Sequence, residues 1–204
     1  MKIIKEIRAI KNTYYQRMVI KKIISTSNSI KVVLGAGKSK YNEWIATDYP
    51  LLDVVNEKSW MRLFKPGAID ALLAEHVFEH LTDYEITLAF SNIYKFLKIN
   101  GYIRIAVPDG YHSSNDYIEM IKPGGYGAGS DDHKQLFNYK TLSKKLLDAG
   151  FSLNLLEWFD EHRQFNYRSW TEEDGFISRS SCNDKRNIGN SFAYTSLIID
   201  AKKQ

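Results

Sequence analysis

From Ile30 onward the chain alternates short apolar, β-branched runs with polar breaks. Lys31 to Leu34 stops at Gly35-Ala36-Gly37, the pattern of a buried strand ending in a tight turn. Trp44 to Thr47 reads as a second strand, Asp53 to Val55 as a brief third, and Ala68 to Ala74, after the turn Pro66-Gly67, as a buried fourth. Asn100-Gly101 leads into a fifth, Tyr102 to Val107, which Pro108-Asp109 closes, and Phe151 to Phe159 and Ser191 to Ala201 are the last two. Between them, Ile86, Phe90, Ile93 and Leu97 recur at the helical period, predicting a helix over 82–97 that opens with a capping box of Thr82 and Glu85. Thr141 to Gly150 predicts another, with an N-cap and a terminal glycine. Lys38 to Glu43 is too short for a crossover helix and reads as a loop or single turn. Gly110 to His133 carries four glycines after Lys122 and no apolar period, so it reads as a long loop. Strands alternating with helices, then two strands joined by a long excursion, predict an α/β fold. We expect a seven-stranded, mostly parallel sheet with an antiparallel closing strand and helices on both faces.

The first 29 residues follow another rule. In MKIIKEIRAIKNTYYQRMVIKKII, lysines and arginines interrupt every apolar stretch. This reads as a basic helix packed on the sheet rather than a signal peptide or a span, with weak contact to acidic lipid as its other use. At 204 residues and 44% hydrophobic, the chain has enough apolar material for one core, so we expect one domain over 1–204. Its net charge of +4 is modest, with basic residues scattered outside the lysine-rich amino terminus, and no nucleic-acid partner is expected. The single cysteine, Cys182, excludes an internal disulfide and fits a reducing, cytoplasmic compartment.

The candidate chemistry sits where strands end. Glycines after the first strand let backbone N–H groups approach a ligand, and Asp48, ending the second, is placed to accept hydrogen bonds from ribose hydroxyls. Together they suggest an adenosine site. A nicotinamide cofactor is disfavoured, because Lys40 stands where a third glycine belongs and Asp48 comes too early. Glu75 and His76 end the fourth strand; His76-Val77-Phe78-Glu79-His80 also matches the inverted zinc-peptidase pattern, in which both histidines share a helix face. That leaves a zinc-dependent hydrolase as one alternative and a non-catalytic nucleoside-binding module as another. Asp109 and Asp131-Asp132-His133 are the titratable groups expected to face a substrate, and Arg179 and Arg186 are expected to pair with the acidic run Glu157 to Glu161.

Taken in order, LGAG, ATDY, AEHVFEHL, VPD and LLDAGF resemble a class I methyltransferase that uses S-adenosylmethionine, from about Lys31 to Lys202. LLEWFDE, GFISRS, DKRN and YTSLIIDA resemble, more narrowly, a group of predicted methyltransferases with little biochemical characterisation. The resemblance implies that Gly35, Ala36 and Gly37 line the methionine and ribose side of the cofactor. It puts Asp48 on the ribose, Tyr49 beside the adenine, Glu57 near its amine, where an aspartate is more usual, and Glu75 and His76 beside the methionine portion. It implies methyl transfer, expected to go to an oxygen or nitrogen of a small acceptor; 110–133 and 160–190 shape the acceptor pocket, and their aromatic residues suit a sugar or aromatic ring. No metal ligand is assigned, and His133, then Asp109, is the candidate base.

Overall fold

The structure, a computed structural model, describes residues 2–37, 39, 41–189 and 192–204, with backbone alone for 2–12. Its sheet runs β2 (Ile45–Ala46), β1 (Lys31–Leu34), β3 (Ile69–Glu75), β4 (Leu97–Pro108), β7 (Ser196–Lys203), β5 (Phe151–Phe159), β6 (Phe165–Tyr167). The pairs β1/β2, β1/β3 and β3/β4 are parallel, with Val33 opposite Ala46 and Leu73. β7 lies antiparallel between β4 and β5, and β6 is antiparallel on the outer side of β5. The mostly parallel, seven-stranded architecture is therefore present, though one of its strands is not among those the sequence suggested.

Asp53 to Val55 is not a strand. The Asp53 carboxylate accepts the Val55 N–H at 3.0 Å, and the Val54 and Val55 carbonyls accept side-chain N–H groups of Trp60 and Asn92. With its polar backbone satisfied by side chains, this segment needs no ladder partner. The seventh strand is instead Phe165–Tyr167, whose three residues are too few to show a period.

Strand alternation sorts the core into two faces. Leu72, Ala74, Ile103, Ile105, Leu197 and Ile199 join one large cluster. It also takes Ile20 from α1 (Lys2–Thr26), Trp60 from α2 (Glu57–Met61), Phe90 and Phe96 from α3 (Asp83–Phe96), and Leu142 and Leu146 from α5 (Tyr139–Asp148). The alternate residues Val33, Leu73, Ala106 and Ile198 face a smaller cluster closed by Tyr41, Trp44, Trp170 and Ile177 from connecting segments. The loop expected from Lys38 to Glu43 includes Lys38 and Lys40, which lie outside the described residues; what is described of it is non-helical. α3 carries its capping box as expected: Glu85 Oε2 accepts the Thr82 N–H at 2.8 Å while Thr82 Oγ1 accepts the Glu85 N–H. Of α1, Ile20 is buried, whereas Tyr14, Tyr15, Met18 and Ile23 are exposed; the earlier basic side chains, on which the expected lipid contact rests, lie outside the described residues. No helix among the described residues is long and apolar enough to cross a membrane.

On the reverse face Arg104 of β4 is almost wholly enclosed. It forms a bidentate pair with Asp200, its cross-strand neighbour, at 2.8 and 2.9 Å, and donates to the carbonyls of Thr171 and Gly175. Its guanidinium lies 4.9 Å from the Trp170 ring centroid. One side chain thus fastens the irregular segment 170–175 to the sheet.

The stretch 110–133 is not all loop. It contains α4 (Asn115–Ile121), capped by Ser114 and burying Tyr117 and Ile121, a single pair at i and i+4 that is too little to register as a period. His112, just before it, stacks on Tyr117 at 3.9 Å and packs on Phe159 at 4.6 Å. Burial there, with the positive charge of Arg163 acting the same way, lowers its imidazole to about 4. The unfolded chain takes up that proton near pH 6.5 and the folded chain only near 4, so this contribution to stability is complete above 6.5 and lost as the pH falls toward 4. In urea titrations, wild type should lose roughly 2 kcal/mol more than His112→Phe between pH 7 and 4.5. Equal losses in the two proteins would remove His112 from the acid transition.

Candidate active site

The carboxyl ends of β1, β2 and β3 meet in one place. The chain leaves β1 at Gly35 with φ +63°, where an added Cβ would stand 2.5 Å from Val77 Cγ2. Only glycine allows both that turn and that approach. The Ala36 N–H donates to the Thr47 carbonyl, and the Thr47 N–H to the Val33 carbonyl, extending the β1/β2 pairing past the strands. Asp48 then turns its carboxylate back: Oδ2 accepts the Gly37 N–H at 3.0 Å and Oδ1 the Tyr49 N–H at 2.8 Å. Two backbone donors fix the carboxylate while leaving it exposed, and the neighbouring Tyr49 ring is 77% exposed.

A cleft of ≈ 450 Å³ opens here, lined by Gly35, Asp48, Tyr49, Asp53, Val54 and Val55 on one side and by His76, Val77, His80 and Asp132 on the other. A larger hollow of ≈ 780 Å³ lies between α1 and the β2 edge, but its lining, mainly Val19, Ile20, Ile23 and Trp44, holds none of the strand-end carboxylates. Chemistry favours the smaller one. Glu57 is not among the cleft's lining residues; it begins α2 and pairs with Lys95 at 2.7 Å. The carboxylate that does line the cleft on that side is Asp53. Glu75 is half-buried at the end of β3, with its side chain 6% exposed, and accepts the N–H groups of Ser178 and Arg179 and the Arg179 guanidinium at 3.3 Å.

After β3 the chain turns through His76, at φ +55°, into a 3₁₀ turn over Phe78–His80. The segment HVFEH is therefore not an α-helix, and His76, before the 3₁₀ turn, does not share a helix face with His80. His76 Nε2 lies 3.0 Å from Ser196 Oγ, and its Nδ1 lies 3.2 Å from Glu79 Oε1. Burial holds His76 well below its ordinary value and pushes Glu79 up to about 8. His80 packs edge-on against His133, ring centroids 4.8 Å apart. The two segments are registered by the Glu79 carbonyl, which accepts the N–H groups of Lys134 and Gln135.

The remaining candidates are placed differently. Asp109 is fully buried, with Oδ1 accepting the Tyr111 N–H and Oδ2 the Phe159 N–H; burial raises it to about 7. It ties the end of β4 to the end of β5 and does not line the cleft. Arg179 and Arg186 pair with Glu75 and Asp184, not with the 157–161 run. Glu157 is occupied by the Trp170 indole N–H and the Ser181 N–H, so the segment around 178–181 is held by two strand-end carboxylates, Glu75 and Glu157.

No protein-family model matches the chain, and no curated protein matches it. Solved structures do. An S-adenosylmethionine-dependent methyltransferase from Archaeoglobus fulgidus superposes with TM-score 0.50 at 16% identity, over 92% of this chain and 94% of its own. One from Thermotoga maritima gives 0.53 at 12%, over 99% and 96%. One from Mesorhizobium loti gives 0.52 at 9%, over 85% and 90%. At these identities the likeness is one of fold, and the chain has the class I methyltransferase fold.

Proposed function

We propose that this chain binds S-adenosylmethionine across the ends of β1, β2 and β3 and transfers its methyl group to an oxygen or nitrogen of a small acceptor. The observation that carries the reading is the pairing of the Gly35 to Gly37 turn with a carboxylate, Asp48, held open by two backbone N–H groups at the cleft mouth. The residues present suit that cofactor: the turn has no side chain at Gly35 or Gly37 to fill the space, the carboxylate is free to accept from sugar hydroxyls, and Tyr49 offers an open ring face. Gly35, Ala36, Gly37, Asp48 and Tyr49 would hold it, with His76 and Val77 along the far wall; Asp53 suits the amine position better than Glu57. Glu75 serves the site indirectly, by holding 178–179 over the strand ends.

Bound there, S-adenosylmethionine supplies a methyl group already activated on a sulfonium, so the protein's work is alignment and exclusion of water. The His133 Nδ1 lies 2.7 Å from the Ile121 carbonyl, which only accepts, so Nδ1 carries the hydrogen and Nε2 keeps its lone pair. That makes His133 the candidate to take an acceptor's proton, ahead of Asp109, whose oxygens are both committed. The aromatic residues of 110–133 and 160–190 suit an acceptor with a ring or sugar face.

Isothermal titration should show one equivalent of S-adenosylmethionine or S-adenosylhomocysteine bound per chain, and formation of S-adenosylhomocysteine with a panel of hydroxyl and amine acceptors. A folded chain that binds neither nucleoside refutes the proposal. Binding without any turnover would instead leave a nucleoside-binding module.

A further inference from the structure

Glu79, His80 and His133 present one ligand atom each within 4.8 Å of one another. Glu79 is fully buried, and among the described residues neither carboxylate oxygen accepts a hydrogen bond; Oε1 has only the His76 Nδ1 ion-pair contact at 3.2 Å. Buried carboxylate oxygens are ordinarily hydrogen-bonded, so a pair that accepts no hydrogen bond points to a ligand. His80 Nδ1 is also buried without a hydrogen bond among the described residues, and Asp132 Oδ2 stands 3.4 Å from it. His133 donates through Nδ1 to a backbone carbonyl, the arrangement that fixes the ring of a metal-bound histidine and leaves Nε2 as the ligand.

We propose that Glu79, His80 and His133 form a binding site for a divalent transition-metal ion of the zinc, cobalt or manganese kind. Two imidazoles and one carboxylate are the donor set such ions take when positions are left open, and oxygen-only cations such as magnesium are disfavoured. Ligands about 2.1 Å from a cation stand roughly 3.5 Å apart, so the three side chains need to close by about 1 Å. The site differs from the reading of HVFEH as a zinc motif, since His76 is turned toward Ser196 and the third ligand comes from a segment more than fifty residues away. His80 and Asp132 also line the cleft, so the site borders it, and with metal bound His133 is a ligand rather than a base.

The test is calorimetric titration of the EDTA-stripped full chain with Zn²⁺ alone, then with Mn²⁺, and the visible spectrum with Co²⁺. One equivalent should bind with micromolar affinity or tighter, and Glu79→Gln and His133→Ala should each weaken it at least tenfold. Cys182→Ser, at an exposed thiol, should leave it unchanged. Absence of binding in wild type overturns the proposal; so does binding that survives both ligand substitutions or disappears with Cys182→Ser. If Glu79→Gln does not fold, His133→Ala and the Co²⁺ spectrum of wild type decide, a spectrum without imidazole-type ligand-field bands counting against the site. No nucleoside is present in these titrations, so their failure leaves the cofactor reading standing, and the failure of that reading leaves the site standing.

Discussion

Replacing Arg104 by methionine should lower the stability of this protein by about 3 to 5 kcal/mol, the cost of breaking a buried ion pair from one side. The methionine fills much of the volume but leaves Asp200 without its bidentate partner and the Thr171 and Gly175 carbonyls without donors. Asp200 keeps 22% of its side-chain surface in water, which places the loss toward the lower end. A melting temperature lower by on the order of 10 °C is expected for a chain of this length. A further change of Asp200 to leucine should recover part of it, since an apolar pair leaves no stranded charge. A single-variant loss below about 1 kcal/mol would show that the pair does not hold 170–175 on the sheet.

The second large effect concerns binding. Asp48→Ala should weaken S-adenosylmethionine about a hundredfold, roughly 3 kcal/mol, as two charge-assisted hydrogen bonds to ribose hydroxyls at about 1.5 kcal/mol each are lost. Part of the loss is local, because the same carboxylate holds the N–H groups of Gly37 and Tyr49. Asp48→Asn separates the two contributions: it keeps an acceptor for one backbone donor and should bind better than the alanine variant. Affinity within twofold of wild type in a folded Asp48→Ala protein would move the cofactor elsewhere.

How much of this could be read from the chain depends on distance along it. Val32, Val33, Leu72 and Leu73 are buried on both faces of a parallel sheet, so continuous apolar runs announced them, and Thr82 with Glu85 announced the start of α3. The antiparallel β7 was legible for the same reason, as Leu197, Ile198 and Ile199 are all buried. What was not legible depends on pairs far apart. Asp53 to Val55 looks like a strand until Trp60 and Asn92 claim its carbonyls. Asp109 looks like a substrate-facing acid until the N–H groups of Tyr111 and Phe159 occupy it. The position of Glu79 beside His133 has no sequence signal at all beyond HVFEH, since the contact is made by backbone bonds from Lys134 and Gln135.

The two outermost strands, β2 and β6, are only two and three residues long. A sheet's rim normally offers unpaired amides and carbonyls to any extended chain that drifts past. Here the rim ends in stubs on either side, so a neighbouring molecule finds almost no ladder to lengthen.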